Sequence, residues 1–380
     1  MRSLDTARDT CENHHPGLVK TLAGYPLTEL EAPGGPAVGA FRAHRGPGLL
    51  VPAEYGGHGA GPLDAVRVMR AIGSLSPSLG AAACMHHFTA AMLFELAHGA
   101  ERLTARQLGL LRRVAPEGLL LASGWAEGRT EQNILNPSVT AAAAPGGGYL
   151  VNGSKKPCSL SASMDLLTAS VSVPDENGDP SLAVLLLPSD TPGISVHPFW
   201  SSGILAAAES DEVRLRDVHV PEELVIRTTA ADPGRLDDLQ TAGFVWFELL
   251  ITSVYIGVGS ALVERVLERG RGSVTDRAAL VTGIEAAVAM NEGVARAVAG
   301  GLAGDEAVAS VLLTRFAVQD ALNRAADLAI ELLGGIAFIT SPDVAYLGSA
   351  ARPLAFHPPS RTSTAQALVD YAAGGPLLLS

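Results

Sequence analysis

The sequence predicts an α+β multidomain chain: an N-terminal α-helical domain, a small central β domain of barrel or sandwich type, and a C-terminal four-helix bundle. Three observations predict it. Apolar residues recur at helical spacing over residues 1–118, short alternating or β-branched runs separated by Gly, Pro, Asn and Asp fill 119–229, and long Ala/Leu-rich helical stretches fill 235–380. The order helix, sheet, helix excludes a doubly wound sheet, in which strands and helices would alternate. With 380 residues, 47% of them hydrophobic and 17% charged, the chain is long enough for two or three domains around a large core.

In the first region, residues 64–74 and 79–98 carry the helical spacing, and a glycine-rich loop over 56–61 precedes them without the Gly-Lys-Ser/Thr of a phosphate loop. His86 and His87 are adjacent on the second helix, so they point about 100° apart and are expected on its surface, not on one metal. Strands are expected at 138–144, 148–152, 166–173, 182–187, 194–198 and 211–215. Residues 146–153, Gly-Gly-Gly-Tyr-Leu-Val-Asn-Gly, read as a hairpin with glycine turns on both sides of an apolar strand. A hinge over 230–235 follows, where Asp232-Pro233-Gly234 breaks any helix. Helices over 236–269, 277–300, 305–333 and 364–373, joined by short loops, form the bundle. The stretch 244–263 is almost wholly apolar and nearly long enough to cross a bilayer. Glu248 near its start and the amphipathic helices after it favour the central helix of a soluble bundle, with a membrane span as the lesser alternative; no membrane partner is expected.

A net charge of −12 argues against nucleic acid, because phosphate binding needs a basic face. Lysine occurs only at Lys20, Lys155 and Lys156, so a polybasic membrane anchor is absent. Cys11, Cys84 and Cys158 have neither Cys-x-x-Cys spacing nor partner histidines at metal-ligand intervals, so no metal site is expected. With a polar N-terminus over 1–12, this points to a reducing, cytoplasmic location.

Four stretches, in order, resemble the acyl-CoA dehydrogenase superfamily: Val51-Pro52-Ala53-Glu54-Tyr55-Gly56-Gly57, Tyr149-Leu150-Val151-Asn152-Gly153-Ser154-Lys155, Asp217-Val218-His219-Val220-Pro221 and Glu331-Leu332-Leu333-Gly334-Gly335. The resemblance implies FAD, with FMN less favoured, held between the β domain and the bundle, and a homodimer or homotetramer in which the ADP end reaches a second subunit. By position, Trp125, Ala126 and Glu127 replace the family's stretch along the isoalloxazine, and Ser159 falls where a Thr or Ser lies near flavin N5, with Pro157 in place of the customary Trp. Ser360 matches a Thr that bonds the cofactor phosphates, and Gly334 and Gly335 match a turn that backbone uses to approach the adenosine end. The family's pyrophosphate-binding segment is degraded to residues 269–273, where Arg271 keeps a guanidinium, and Glu331 replaces a Gln.

The main departure lies in Ala351-Arg352-Pro353-Leu354-Ala355-Phe356-His357-Pro358, where the family's catalytic glutamate falls on Pro358. Proline takes no proton and has no backbone N–H, so the base and one donor to the thioester oxygen are both lost. Two residues are candidates to replace the base. Glu248 is the only charge in the apolar run 244–263, one residue beyond Phe247, where some family members carry their base; its alternative is a pairing with an arginine in the bundle. His357 reaches the glutamate position by a one-residue slip, and its alternative is a stacked loop histidine. Three functions follow: α,β-desaturation of an acyl thioester on CoA or an acyl carrier protein, with a non-standard base; a monooxygenase using reduced flavin from a separate flavin reductase; or a homologue that binds a partner without redox chemistry. The first leads.

Overall fold

The computed structural model describes residues 1–99, 102–128, 137–175, 178–227 and 238–379. Eight helices open the chain: α1 Arg2–His14, α2 Leu18–Ala23, α3 Leu27–Leu30, α4 Ala37–Ala43, α5 Pro62–Leu75, α6 Pro77–Gly99, α7 Ala105–Leu111 and α8 Val114–Glu117. Among the described residues eight strands follow: β1 Leu121–Gly124, β2 Thr140–Ala143, β3 Tyr149–Cys158, β4 Leu166–Pro174, β5 Pro180–Pro188, β6 Ile194–His197, β7 Asp211–Val220 and β8 Val225–Arg227. The chain ends in α9 Asp238–Glu268, α10 Val274–Ala299, α11 Gly304–Thr340, α12 Pro342–Ala350 and α13 Arg361–Ala372. The expected order of helix, sheet, helix is present.

The strands form one sheet in the order β6-β7-β3-β2-β4-β5-β8, and β1 lies parallel to β4. Gly146 to Gly148 make the expected turn between β2 and β3. Gly153 does not turn the chain; it sits at a register shift in β3, which runs on to Cys158. A side chain there would press on Val139, so glycine marks a bulge. The expected hinge over 230–235 lies outside the described residues.

The apolar helix α9 is the axis of the molecule. Its most apolar window has a mean hydropathy of 1.6 and is 94% buried inside the protein, so its hydrophobic surface is consumed by neighbouring helices. Glycines allow the closest crossing, between α5 and α9: a Cβ at Gly73 would collide with the Val254 carbonyl, and one at Gly257 with the Arg70 carbonyl. The main apolar core runs from Leu4 and Phe41 through Val151 and Leu167 to Leu250 and Leu322, with smaller clusters around Leu93 and around Leu312.

The Leu-Gly-Gly turn expected at 334–335 is instead a kink. Gly334 has φ 84°, and α11 continues past it to Thr340. The helix that follows, α12, has no counterpart among the expected elements. Nor is the surface position expected for His86 and His87 observed: both are fully buried. The His86 ring accepts from Leu121 N–H at Nδ1 (3.0 Å) and donates from Nε2 to the Pro47 carbonyl (2.9 Å), tying α6 to β1. Burial wins because α6 is apolar on all sides and packs between α9 and the sheet.

Candidate active site

A pocket whose empty space, counted out into open solvent, is about 1100 Å³ opens where α6, α9, the sheet and the C-terminal loop meet. Helix α6 contributes Ala81, Met85, Phe88 and Met92, whose spacing of three and four residues puts them on one face. Helix α9 adds Gly243, Phe244 and Phe247. From the sheet come Ser123, Trp125 and Ala126 at the end of β1, and Pro157 and Ser159 at the end of β3. The segment between β6 and β7 supplies Trp200, Leu205, Ala208 and Ser210, and His357 and Pro358 close the site. Among the described residues no carboxylate, lysine or arginine lines it.

The predicted residues divide accordingly. Trp125, Ala126, Ser159 and His357 are brought together at the cavity. Trp125 Nε1 is buried with no partner among the described residues, and the Ser159 hydroxyl meets that of Ser210 at 2.9 Å. Glu127 turns away into the β domain, where its carboxylate accepts from Lys155 Nζ (2.7 Å), the Ser138 hydroxyl (2.6 Å) and the Ser138 and Val139 N–H groups. Lys155, the last residue of the Asn-Gly-x-Lys hairpin, is thereby consumed in a buried pair.

Glu248 also lies outside the cavity. One residue past Phe247 is about 100° of helix rotation, enough to aim it at Arg315 of α11 (2.7 Å), and both side chains are fully buried. Burial pushes the Glu248 carboxyl up to about 7, against the opposing pull of Arg315. Arg315 also donates to the carbonyls of Pro358 (3.4 Å) and Pro359. The ion pair therefore anchors the loop that carries His357. The His357 ring meets Tyr255 (Tyr Oη to Nε2, 2.9 Å) and Phe247, with ring centroids 5.9 Å apart. Burial pushes its pKa down to about 3, and Arg315 adds to the shift.

The other predicted contacts stand apart from the cavity. Arg271 is exposed in the loop after α9, Gly335 is exposed beside half-buried Gly334 at the kink, and Ser360 caps α13, accepting from Ser363 N–H at 3.1 Å. Tyr255 and Arg315 were not predicted. Tyr255 reads as one more core aromatic of α9. Arg315 had a signal: residues 308, 315, 322 and 329 are one heptad apart and otherwise apolar, which places Arg315 on a buried stripe.

Residues 5–113 match the family described as acyl-CoA dehydrogenase, N-terminal domain. The chain is 66% identical over 377 residues to an isobutylamine N-hydroxylase of Streptomyces viridifaciens, covering 99% of this chain and 100% of that one. The chain belongs to the acyl-CoA dehydrogenase superfamily. It is also 26% identical over 273 residues to a dibenzothiophene monooxygenase of Rhodococcus qingshengii, covering 70% of this chain and 64% of that one. Among solved structures, KijD3 in complex with FMN and dTDP-3-amino-2,3,6-trideoxy-4-keto-3-methyl-D-glucose superimposes with a TM-score of 0.81 at 22% identity, covering 98% of this chain and 94% of that one. Thioester desaturation, the leading expectation, finds no support in this member of the superfamily. Its carboxylate is absent from the cavity, Pro358 holds that position, and Glu248 is committed to Arg315.

Proposed function

We propose that this protein is a flavin-dependent monooxygenase that hydroxylates the nitrogen of a small primary alkyl amine, taking reduced flavin from a separate reductase. The observation that carries the reading is the cavity itself: apolar walls, a few neutral polar groups and no charged side chain, on a chain close in sequence throughout to a protein named for amine N-hydroxylation. A base for a carbon acid is unnecessary in that chemistry, because the nucleophile is the nitrogen lone pair.

The residues present fit a flavin. Trp125 supplies an unpartnered indole N–H, Ala126 a small side chain, and Ser159 a hydroxyl beside a largely apolar space. When bound, reduced flavin supplies the two electrons that let O2 give one atom to nitrogen while the other leaves as water. We take FAD as the cofactor and FMN as the alternative. Arg271, Gly334, Gly335 and Ser360 lie outside the cavity, so their proposed contact with the phosphate and adenosine end of FAD would run through a second copy of the chain, in a homodimer or homotetramer. The Ser360 hydroxyl, already a helix cap, would share its bond with a phosphate at the same helix N-terminus.

The cavity also sets the state of the substrate. An alkylammonium titrates at about 10, as lysine does, so the charged form dominates at neutral pH. Apolar walls disfavour that form, and only the neutral amine has a lone pair to accept oxygen. Selectivity for the neutral amine makes kcat/KM rise about tenfold per pH unit below the amine pKa.

The test supplies purified protein with a flavin reductase, reduced nicotinamide, isobutylamine and isotopically heavy O2. Heavy label in an N-alkylhydroxylamine is the expected result. Flavin bleached anaerobically by an acyl thioester, with no hydroxylamine formed, would overturn the reading.

A further inference from the structure

The Tyr255 hydroxyl is fully buried, and among the described residues its one hydrogen-bond partner is His357 Nε2 at 2.9 Å. If Nε2 carried the ring proton, the Tyr255 O–H would be left without an acceptor inside the protein. A buried donor left without an acceptor is disfavoured, so the hydroxyl donates and Nε2 accepts. A neutral imidazole with Nε2 as acceptor carries its proton on Nδ1. That nitrogen makes no hydrogen bond among the described residues, and the residue lines the cavity.

We propose that Tyr255 is a positioning residue that locks His357 in the Nδ1–H tautomer, so that the ring serves as a neutral hydrogen-bond donor in the cavity and not as a base. Surrounding groups agree with a neutral ring. Arg315 repels a protonated imidazole at His357, and its partner Glu248 faces Arg315. Phe247 covers one side of the ring and Pro358 follows it in the chain. This inference rests on the amine N-hydroxylation reading for its catalytic consequence, though the tautomer stands on geometry alone.

The consequence concerns the oxygen that departs. In the overall change one N–O bond forms and the O–O bond of dioxygen breaks. Reduced flavin gives two electrons and two protons, and amine, O2 and reduced flavin become hydroxylamine, water and oxidised flavin. Negative charge develops on the departing oxygen before it gains its proton, and a fixed N–H stabilises that charge without being consumed. His357 gives up no proton, so it ends each turnover as it began. Loss of one such preorganised donor typically costs about two to three orders of magnitude in rate.

The experiment starts with flavin-free protein carrying nitrogen-labelled histidine, with the His357 signals assigned by their disappearance in His357→Asn. At neutral pH the expected spectrum has a protonated Nδ1 and an unprotonated Nε2, and Tyr255→Phe mixes or reverses the two tautomers while the fold, read by circular dichroism, is kept. A protonated Nε2 in the wild type, or an unchanged tautomer in Tyr255→Phe, overturns the proposal. In the reductase-coupled assay, His357→Ala loses about a hundredfold in hydroxylamine formation, with consumed oxygen appearing as hydrogen peroxide. His357→Asn, whose amide N–H replaces Nδ1–H, recovers at least about tenfold of that loss. Equal loss in both variants overturns the donor role. Absence of hydroxylamine from the wild type with any primary amine removes the functional reading instead and leaves the tautomer result standing.

Discussion

The Arg315 guanidinium is shared between two tasks: it neutralises Glu248 and donates to the carbonyls of Pro358 and Pro359, the residues next to His357. Removing it leaves a fully buried carboxylate without a counter-ion and releases the loop together. Breaking a buried pair from one side typically costs about 3–5 kcal/mol. Arg315→Met is therefore expected to lower the urea midpoint strongly. Glu248→Gln, which keeps an acceptor for Arg315, should lower it less, and Glu248→Met with Arg315→Met should recover part of the loss of the single Arg variant. An unchanged midpoint in Arg315→Met would show that the pair anchors nothing. Much of this was legible in the chain: Pro358 stood out as the lost base, and Glu248 as the lone charge of an apolar run. Its partner was not identified, because the two lie 67 residues apart and sequence spacing says nothing about which helices meet.

At the level of elements, α6 and α9 decide what fits the cavity. The helical spacing of Ala81, Met85, Phe88 and Met92 shows in the sequence, but α6 is apolar all round, so the pattern alone does not tell which face borders a cavity and which meets the sheet. The same ambiguity hid the burial of His86 and His87. In the β domain β4 and β5 were readable as apolar, β-branched runs, whereas β3 and β7 run on past the expected ends at 152 and 215 to Cys158 and Val220. Four-residue β1 and three-residue β8 were not expected, although β2 and β6, also of four residues, were expected from the Pro and Gly beside them. A prediction follows for the α6 wall. Met85 is half-buried and lines the cavity, so Met85→Ala enlarges the space without emptying a closed core. Each added methylene that finds an apolar surface gains about 0.8 kcal/mol, or roughly fourfold in affinity. The variant should shift the kcat/KM optimum in a linear primary amine series towards chains one or two carbons longer. An optimum that stays where the wild type has it would remove α6 from the determinants of chain length.

Across the whole molecule, stability against acid depends on imidazoles that are buried uncharged where the N-terminal helices meet the sheet. His15, His86 and His87 are fully buried around Phe41, with His15 and His58 rings 5.2 Å apart, and His86 and His87 rings 5.0 Å apart. Burial pushes His15 down to about 3, with neighbouring His58 adding to it, and His86 down to about 4; His87 is held well below the ordinary histidine range. A folded pKa below the unfolded value near 6.5 means that the unfolded chain takes protons the folded one refuses. Stability is then complete above about 6.5 and is lost as pH falls from there towards about 4, at about 1.4 kcal/mol per pH unit for each such histidine. Buried Glu31 and Glu248, both raised by burial, act in the opposite direction, because the folded state binds their protons first. His58 and His357 are lowered by burial as well, so five histidines against these two carboxylates leave a net loss on acidification. The two adjacent histidines separate this effect from ordinary packing. Both His87 ring nitrogens are buried without hydrogen-bond partners among the described residues, so His87→Leu removes a titrating group and no hydrogen bond seen there. It should match the wild type or exceed it at pH 8 and melt distinctly higher at pH 5. His86 bridges Pro47 and Leu121, so His86→Leu should melt lower at both pH values. Equal melting-temperature drops between pH 8 and pH 5 for His87→Leu and the wild type would mean that the buried histidines do not set the acid limit.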